Sequence, residues 1–164
     1  MSEINEWFSG RLPEEWFDGA PEVTVDREEI LVVGTLAAPG EEVSPSEADG
    51  RIQRFREETR GQRMRIADEA EARFGRKVAW GAALGERSYV FTSMAIPVMT
   101  RLRQPERMVL DTLVDAGVAR SRSEALAWCV KLVGRNEEAW IKQLQDALEG
   151  VAAARGEGPA SAKK

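Results

Sequence analysis

Four short stretches rich in apolar and β-branched residues, with one helical stretch among them, predict a small α+β domain near the start of the chain. Residues 37–49 hold two Pro and several acids, which predicts a loop with a helix starting near Ser46. Apolar residues then recur every three or four positions over residues 51–74, which predicts one long helix ending at Gly75. Together these elements give a ββαββ arrangement over residues 22–96. The predicted strands are residues 23–25, 30–36, 78–84 and 89–96.

The pattern changes after this domain, where a short strand and two helices are predicted. Residues 97–103 alternate between apolar and polar side chains, as a strand does. Pro105 suits the first turn of a helix, and Gly117 is expected to end that helix. Ser121 and Glu124 have the spacing of a capping box, which predicts the start of a second helix. The apolar face of that helix consists of Ala125, Leu126, Cys129, Val130, Leu132 and Val133.

Two aromatic pairs, Trp7-Phe8 and Trp16-Phe17, lie in a near-repeat within the first twenty residues. Exposed aromatic pairs are costly, so both are expected to dock on an apolar surface. That surface belongs either to this chain's own core or to a partner protein.

The whole chain is predicted to contain five segments. The second helix of the later part is expected to stop before Gly134, and Asn136 is expected to cap a third helix. The final residues are small and polar, which is typical of disorder. The segments are an aromatic N-terminal arm (1–21), the α+β domain (22–96), the strand–helix–helix unit (97–134), a C-terminal helix (135–155) and a disordered tail (156–164).

The composition of the 164-residue chain indicates a cytoplasmic protein. The longest apolar runs fall far short of the roughly 20 residues that a membrane helix needs, so no membrane partner is expected. The first residues lack the basic start and apolar stretch of a signal peptide. The single Cys cannot form an internal disulfide, which fits a reducing compartment.

Catalytic and metal-binding residues are scarce, so we expect a protein that is not an enzyme and has no cofactor. The chain has no His, which removes the usual general base and the commonest transition-metal ligand. It also lacks a phosphate-binding glycine fingerprint and a nucleophile elbow. Cys129 lies on an apolar helix face beside Trp128 and is expected to belong to the core, since a metal or redox role would need a second soft ligand.

The net charge of −5 argues against a simple nucleic-acid binder, but positive charge is concentrated in two regions. Residues 51–65 hold six Arg against two Glu, and residues 97–135 hold six Arg and one Lys against four acids. Clustering matters more than the total, because fields between exposed charges are screened within about 10 Å at ordinary salt. Both basic regions are therefore candidate anion-binding surfaces.

Residues 97–133 carry a resemblance to a known family. A strand is followed by a short helix, a Gly-Val turn and a capped second helix, with the sequence LDTLVDAGVARSRSEAL at residues 110–126. This arrangement resembles the ribbon-helix-helix DNA-binding family. The resemblance implies a homodimer in which two strands pair antiparallel and the two-stranded ribbon enters the major groove of double-stranded DNA. One strand and two short helices cannot bury a core alone, which agrees with dimerisation.

The alternation of a strand divides the ribbon residues between two faces. If Val98, Thr100 and Leu102 point inward, their neighbours point out toward DNA. Arg101 could then contact a guanine edge and Arg103 a phosphate, while the start of the second helix offers backbone amides to a phosphate. The predicted DNA-contacting residues are Met99, Arg101, Arg103, Arg120, Ser121, Arg122 and Ser123.

Alternatives remain at each of these sites. Arg101 and Arg103 could be ordinary solvated charges, and Ser121 could only cap its helix. In the other basic region, one helix face carries Arg56, Arg60 and Arg63. That face is either a second nucleic-acid surface or a solvated face paired with acidic neighbours, which are Glu57, Glu58 and Glu69.

The sequence thus favours a dimeric transcriptional regulator or antitoxin-like repressor. The first alternative is a dimeric adaptor that uses the ribbon-helix-helix unit only for assembly and contacts another protein through its acidic surface and aromatic arm. The second is an RNA-binding protein that uses the Arg-rich helix.

Overall fold

The structure is a computed structural model that describes residues 3–40 and 42–156 of the chain. It consists of two compact units, Met1–Pro97 and Val98–Lys164. Apart from its first position, the predicted disordered tail lies outside the described residues. Six helices and one four-stranded sheet make the described part of the chain a mixed α and β protein. No helix within it combines the length and the apolar character needed to cross a bilayer.

The first unit contains α1 (Glu3–Arg11), β1 (Glu22–Val25), β2 (Glu29–Thr35), α2 (Pro45–Glu58), α3 (Arg60–Phe74), β3 (Lys77–Leu84) and β4 (Arg87–Val90). Its strands form one sheet in the order β1-β2-β3-β4. The outer pairs β1–β2 and β3–β4 are antiparallel, whereas the central pair β2–β3 is parallel. A parallel pair needs a long crossover, and α2 and α3 supply it.

Aromatic side chains from the start of the chain complete the core of this unit. Phe8 is fully buried and Trp16 nearly so, and each ring meets the ring of Trp80 edge-on at 6.1 Å. The N-terminal arm therefore docks on the chain's own core, which was the first of its two alternatives. The helix α1 within that arm was not predicted. The buried core cluster is Phe8, Trp16, Ile30, Val32, Ile66, Ala70 and Trp80.

The helix start predicted near Ser46 is confirmed to within one residue, because α2 begins at Pro45 and Ser44 caps it by accepting a hydrogen bond from the Glu47 amide at 3.2 Å. The single long helix predicted over residues 51–74 is wrong. It is divided at Thr59, whose hydroxyl donates to the Phe55 carbonyl oxygen at 2.6 Å. The buried Arg63 side chain, one turn later in the chain, stabilises this break, since its Nε donates to the Thr59 hydroxyl at 2.9 Å.

The strand predicted over residues 89–96 is wrong beyond Val90, where β4 ends. The Phe91 amide still donates to the Trp80 carbonyl oxygen at 2.7 Å, but the chain then leaves the sheet. The Phe91 ring is held against the helices instead, with the Arg63 guanidinium 4.9 Å from its centroid. Packing on the crossover helices thus replaces the last part of the predicted ladder.

Gly34, on the central strand β2, is expected to tolerate no larger residue. An added Cβ there would lie 2.2 Å from atoms of the Phe17 ring, so either the ring or the strand must shift. We expect Gly34→Ala to lower the free energy of unfolding by about 1–3 kcal/mol. The control is Gly50→Ala, inside α2 with open space around it, which should raise stability by about 1 kcal/mol. Thermal unfolding followed by circular dichroism checks both, and equal melting temperatures would contradict the close contact.

The second unit contains three helices, α4 (Gln104–Asp115), α5 (Arg122–Asn136) and α6 (Glu138–Gly156). Gly117 follows α4 with φ +75°, as expected of the residue after a helix end. The predicted Ser121 cap is confirmed, because the Ser121 hydroxyl accepts from the Glu124 amide at 3.2 Å. The second bond of a capping box differs, since the Glu124 carboxylate accepts from the Arg120 amide at 2.7 Å, one residue before the cap.

Two expectations for the end of α5 are wrong. The helix continues through Gly134, which is not among the glycines with positive φ and so provides no left-handed cap. Asn136 is the last residue of α5 and does not cap the third helix, which starts at Glu138.

Residues 97–103 form no strand in the single chain, since a ladder needs a neighbouring strand and none of the described residues supplies one.

Candidate nucleic-acid interface

The segment that precedes α4 presents its side chains to solvent. Met99 is 94% exposed and Val98 is 85% exposed, although Val98 was expected to point inward with Thr100 and Leu102. Of these three, only Leu102 packs on the core of the unit, and the other two are exposed among the residues that the structure describes.

A cleft of about 330 Å³ joins this segment to the start of α5. It brings together three of the residues predicted to contact DNA, Met99, Arg122 and Ser123. The other four predicted residues are exposed but lie outside its lining; they are Arg101, Arg103, Arg120 and Ser121. The cleft thus connects the two chain segments from which the interface was predicted.

Two of the four arginines predicted to contact DNA lie against acidic side chains. Nε and Nη2 of Arg122 donate to the two carboxylate oxygens of Asp111 at 2.6 and 2.8 Å. This contact lowers the pKa of the Asp111 carboxyl and raises the pKa of the Arg122 guanidinium. Arg120 lies 3.8 Å from the Glu124 carboxylate. The sequence analysis missed Asp111, which reaches Arg122 across the turn between two helices.

Other groups at this surface remain available to an anion. Arg101 and Arg103 make no ion pair with any residue that the structure describes. The backbone amides of Arg122 and Ser123 belong to the first turn of α5, where amides have no partner inside the helix. The Ser121 hydroxyl serves as the helix cap with its oxygen, which leaves its proton free to donate.

The second predicted surface, in the first unit, is a cleft of about 370 Å³. Arg56, Arg60 and Arg63 all line it, as their shared helix face predicted. They are not, however, a solvated face paired with Glu69, because Glu69 binds Arg11 at 2.6 Å instead. Glu57 also lines the cleft and accepts a hydrogen bond from Gln53.

Metal binding finds no support in the part of the chain that the structure describes. Within residues 3–40 and 42–156, no three side chains of the ligating types come together. Cys129 is half-buried against the core of the second unit, as its position on the apolar face predicted.

Comparison with known proteins gives two family matches. Residues 2–90 match the family described as Rv1265-like protein, N-terminal domain, and residues 103–155 match the Mb1296 C-terminal domain. Neither match is to a ribbon-helix-helix family. Relatives include the uncharacterized protein Rv1265 of Mycobacterium tuberculosis and the uncharacterized protein Mb1296 of Mycobacterium bovis. Each is 61% identical over 158 residues, covering 94% of this chain and 69% of the relative. No solved structure matches the chain.

Proposed function

The chain belongs to the family of Rv1265-like proteins, and we propose that it acts as a homodimeric, non-enzymatic DNA-binding protein, either a transcriptional regulator or an antitoxin-like repressor. In this proposal two copies pair residues 97–103 as an antiparallel ribbon. The ribbon enters the major groove, where base edges present distinct patterns of donors and acceptors.

The observation that carries the proposal is the exposed, unpaired segment in front of α4. Val98 and Met99 are almost entirely exposed, directly before two arginines with no acidic partner in the described chain. Leaving apolar surface in water costs about 25 cal/mol per Å². Pairing with the same segment of a second copy would cover Val98 and present Arg101 and Arg103 on one side.

The helices of the second unit also favour a second copy. Among the described residues, their buried core consists of Leu110, Ala119 and Ala125, which is small for three helices. On α5, Val130 is 65% exposed and Val133 is 51% exposed. A symmetric dimer buries the same face of both copies, so one apolar surface suffices for assembly.

The positive groups around this segment suit a polyanion. In this arrangement Arg101 and the apolar Met99 side chain contact base edges, and Arg103 contacts a phosphate. A second phosphate would lie at the start of α5, against its free amides and beside Arg120 and Arg122. Sequence-independent phosphate contacts would supply much of the affinity and make it sensitive to salt.

The experiment that tests the proposal combines two measurements on the wild-type chain. Light scattering after size exclusion gives the oligomeric state, and fluorescence anisotropy with a labelled random-sequence duplex gives the affinity at salt concentrations between about 50 and 200 mM. We expect a dimer whose DNA affinity falls steeply with salt. A dimer that binds no duplex at the lowest salt would contradict the DNA proposal and leave the adaptor alternative.

Asp111→Asn is expected to raise the affinity for DNA about tenfold, because it frees the Arg122 guanidinium for a phosphate in both copies. The matched control is Asp115→Asn, which removes the same charge from an exposed position at the end of α4. That variant should gain no more than about twofold, since its effect is a screened field only. Anisotropy titrations measure both, and equal gains would show that Arg122 does not contact DNA.

A further inference from the structure

The cleft in the first unit concentrates positive charge at the junction of α2 and α3. Arg56 lies near the end of α2, Arg60 begins α3, and Arg63 follows one turn later. The charged side chains of its lining are these three arginines and Glu57, so the cleft is positive overall. None of the three arginines forms an ion pair with a residue in the described ranges.

Arg63 is the unusual member of this group, because it is only 7% exposed. Burial and the positive charges of Arg56 and Arg60 lower the pKa of its guanidinium. A buried cation normally has an acidic partner, since removing a charge from water is costly. Here its recorded hydrogen bonds go only to neutral acceptors, the Thr59 hydroxyl and the Arg56 carbonyl oxygen.

These two hydrogen bonds explain the position of the Arg63 side chain. They do not explain why Arg56 and Arg60 place two further positive charges beside it. Its Nε and Nη2 hold the break between α2 and α3 together. A neutral donor could satisfy the same acceptors without repulsion from Arg56 and Arg60. The accumulated positive charge therefore indicates an anion that the chain itself does not provide.

Apart from Thr92, the remaining residues that line the cleft are apolar or aromatic, and one of them has an unused hydrogen-bond donor. Trp80 is 4% exposed, lines the cleft and has no hydrogen-bond partner for Nε1 in the described structure. Buried polar groups are nearly always paired, so an unpaired indole N–H is unusual. The other apolar wall residues are Met64, Ala67, Val78 and Phe91.

We propose that this cleft binds a small phosphate monoester that carries a flat ring, the chemistry shared by nucleotides and aryl phosphates. The planar fork of Arg matches phosphate oxygens, and three arginines line this one cleft. The apolar walls would contact the ring, and a cleft of about 370 Å³ falls within the range of small-molecule sites. A nucleic-acid strand is the weaker candidate, because Arg63 lies too deep for a backbone that runs over the surface.

The first experiment is isothermal titration of the full chain with three probes, which are inorganic phosphate, phenyl phosphate and adenosine 5′-monophosphate. We expect at least one of the two monoesters to bind about tenfold or more tightly than inorganic phosphate, because only they can use the apolar walls. Tighter binding of the adenosine monoester would identify a nucleotide, and tighter or equal binding of phenyl phosphate would identify an aryl phosphate. Neither monoester binding better than inorganic phosphate would overturn the proposal.

A charge variant locates the site without disturbing the fold. Arg60→Gln removes a cation that lines the cleft and has no recorded role in packing, and it should weaken monoester binding about tenfold. The control is Arg65→Gln on the exposed side of the same helix, which should leave binding unchanged. Equal effects of the two variants would exclude the cleft. Single-stranded RNA that binds more tightly than the monoesters, with the same dependence on Arg60, would overturn the proposal in favour of a nucleic-acid surface.

Discussion

The double variant Arg101→Ala/Arg103→Ala should bind double-stranded DNA about a thousandfold more weakly than the wild-type chain. A dimer carries two copies of each arginine, so the change removes four contacts. At about 1 kcal/mol for each contact, the loss of about 4 kcal/mol corresponds to three powers of ten in affinity. Both side chains are exposed and have no acidic partner in the described chain, so no compensating ion pair is released.

The salt dependence separates the two kinds of contact. If Arg103 binds a phosphate in each copy, the plot of log affinity against log salt should become shallower by about two in the double variant. A contact between Arg101 and a base edge would instead appear as a loss of preference among duplex sequences. Anisotropy titrations over a salt series, with two duplexes of different sequence, measure both quantities.

The control removes two positive charges from another part of the same unit. Arg135 is in the last turn of α5 and Lys142 is on α6, and both are exposed. Arg135→Ala/Lys142→Ala should weaken binding less than about tenfold, through the general field alone. An Arg101→Ala/Arg103→Ala chain that keeps the wild-type affinity and salt slope would show that this segment does not touch DNA.

The sheet was predictable because its strands are short, apolar and separated by clear turn residues. Both central strands, β2 and β3, lie within one residue of the predicted ranges. The outer strand β4 was predicted too long, since its true end depends on Phe91 packing against the crossover helices. That contact joins residues distant in sequence, and no local pattern reveals it.

The helices show the same division between local and distant causes. The cap of α5 was predicted from Ser121 and Glu124, because a capping box is formed by neighbours in sequence. The break at Thr59 was missed although its two hydrogen bonds are local, because the burial of Arg63 that supports it depends on the Phe91 ring, which is distant in sequence. Gly61, the poorest helix former near this point, lies within α3 and does not form the break.

The sequence was enough to predict which residues form the candidate sites, but not which other residues their side chains contact. The spacing of Arg60 and Arg63 within α3 gave their common face, and Arg56 lines the same cleft although it lies on α2, before the break at Thr59. The burial of Arg63 was not visible, as it requires the Phe91 ring from beyond the sheet. The ion pair between Asp111 and Arg122 was equally hidden, because it spans a turn of irregular backbone between two helices.

A substitution on the face of α5 that α4 leaves uncovered is expected to have a large effect on dimerisation. Ala125, Leu126 and Cys129 belong to the core that α4 and α5 share. Val130 and Val133 lie one and two turns after Leu126 and continue this apolar stripe, but their side chains are 65% and 51% exposed. Under the proposed assembly, the second copy covers this part of the helix.

Val133→Asp should therefore raise the dissociation constant of the dimer by a factor of about a thousand or more. An unpaired carboxylate in an apolar interface costs several kcal/mol, and two-fold symmetry places one from each copy in the same interface. Sedimentation equilibrium should find a monomer where the wild-type chain is dimeric. DNA affinity should fall with it, because a single strand cannot form the ribbon.

Ala127→Asp is the matched control, since it introduces the same side chain at an exposed position six residues earlier on the same helix. At 100° per residue, Ala127 is turned 120° around the axis of α5 from Val133, the position that the test substitutes, and 60° from Val130 at the edge of the stripe. This variant should remain a dimer and keep its DNA affinity within about threefold. If Val133→Asp is as dimeric as Ala127→Asp, the second copy does not cover this face of α5, and the ribbon would need to be sought in another arrangement of the two chains.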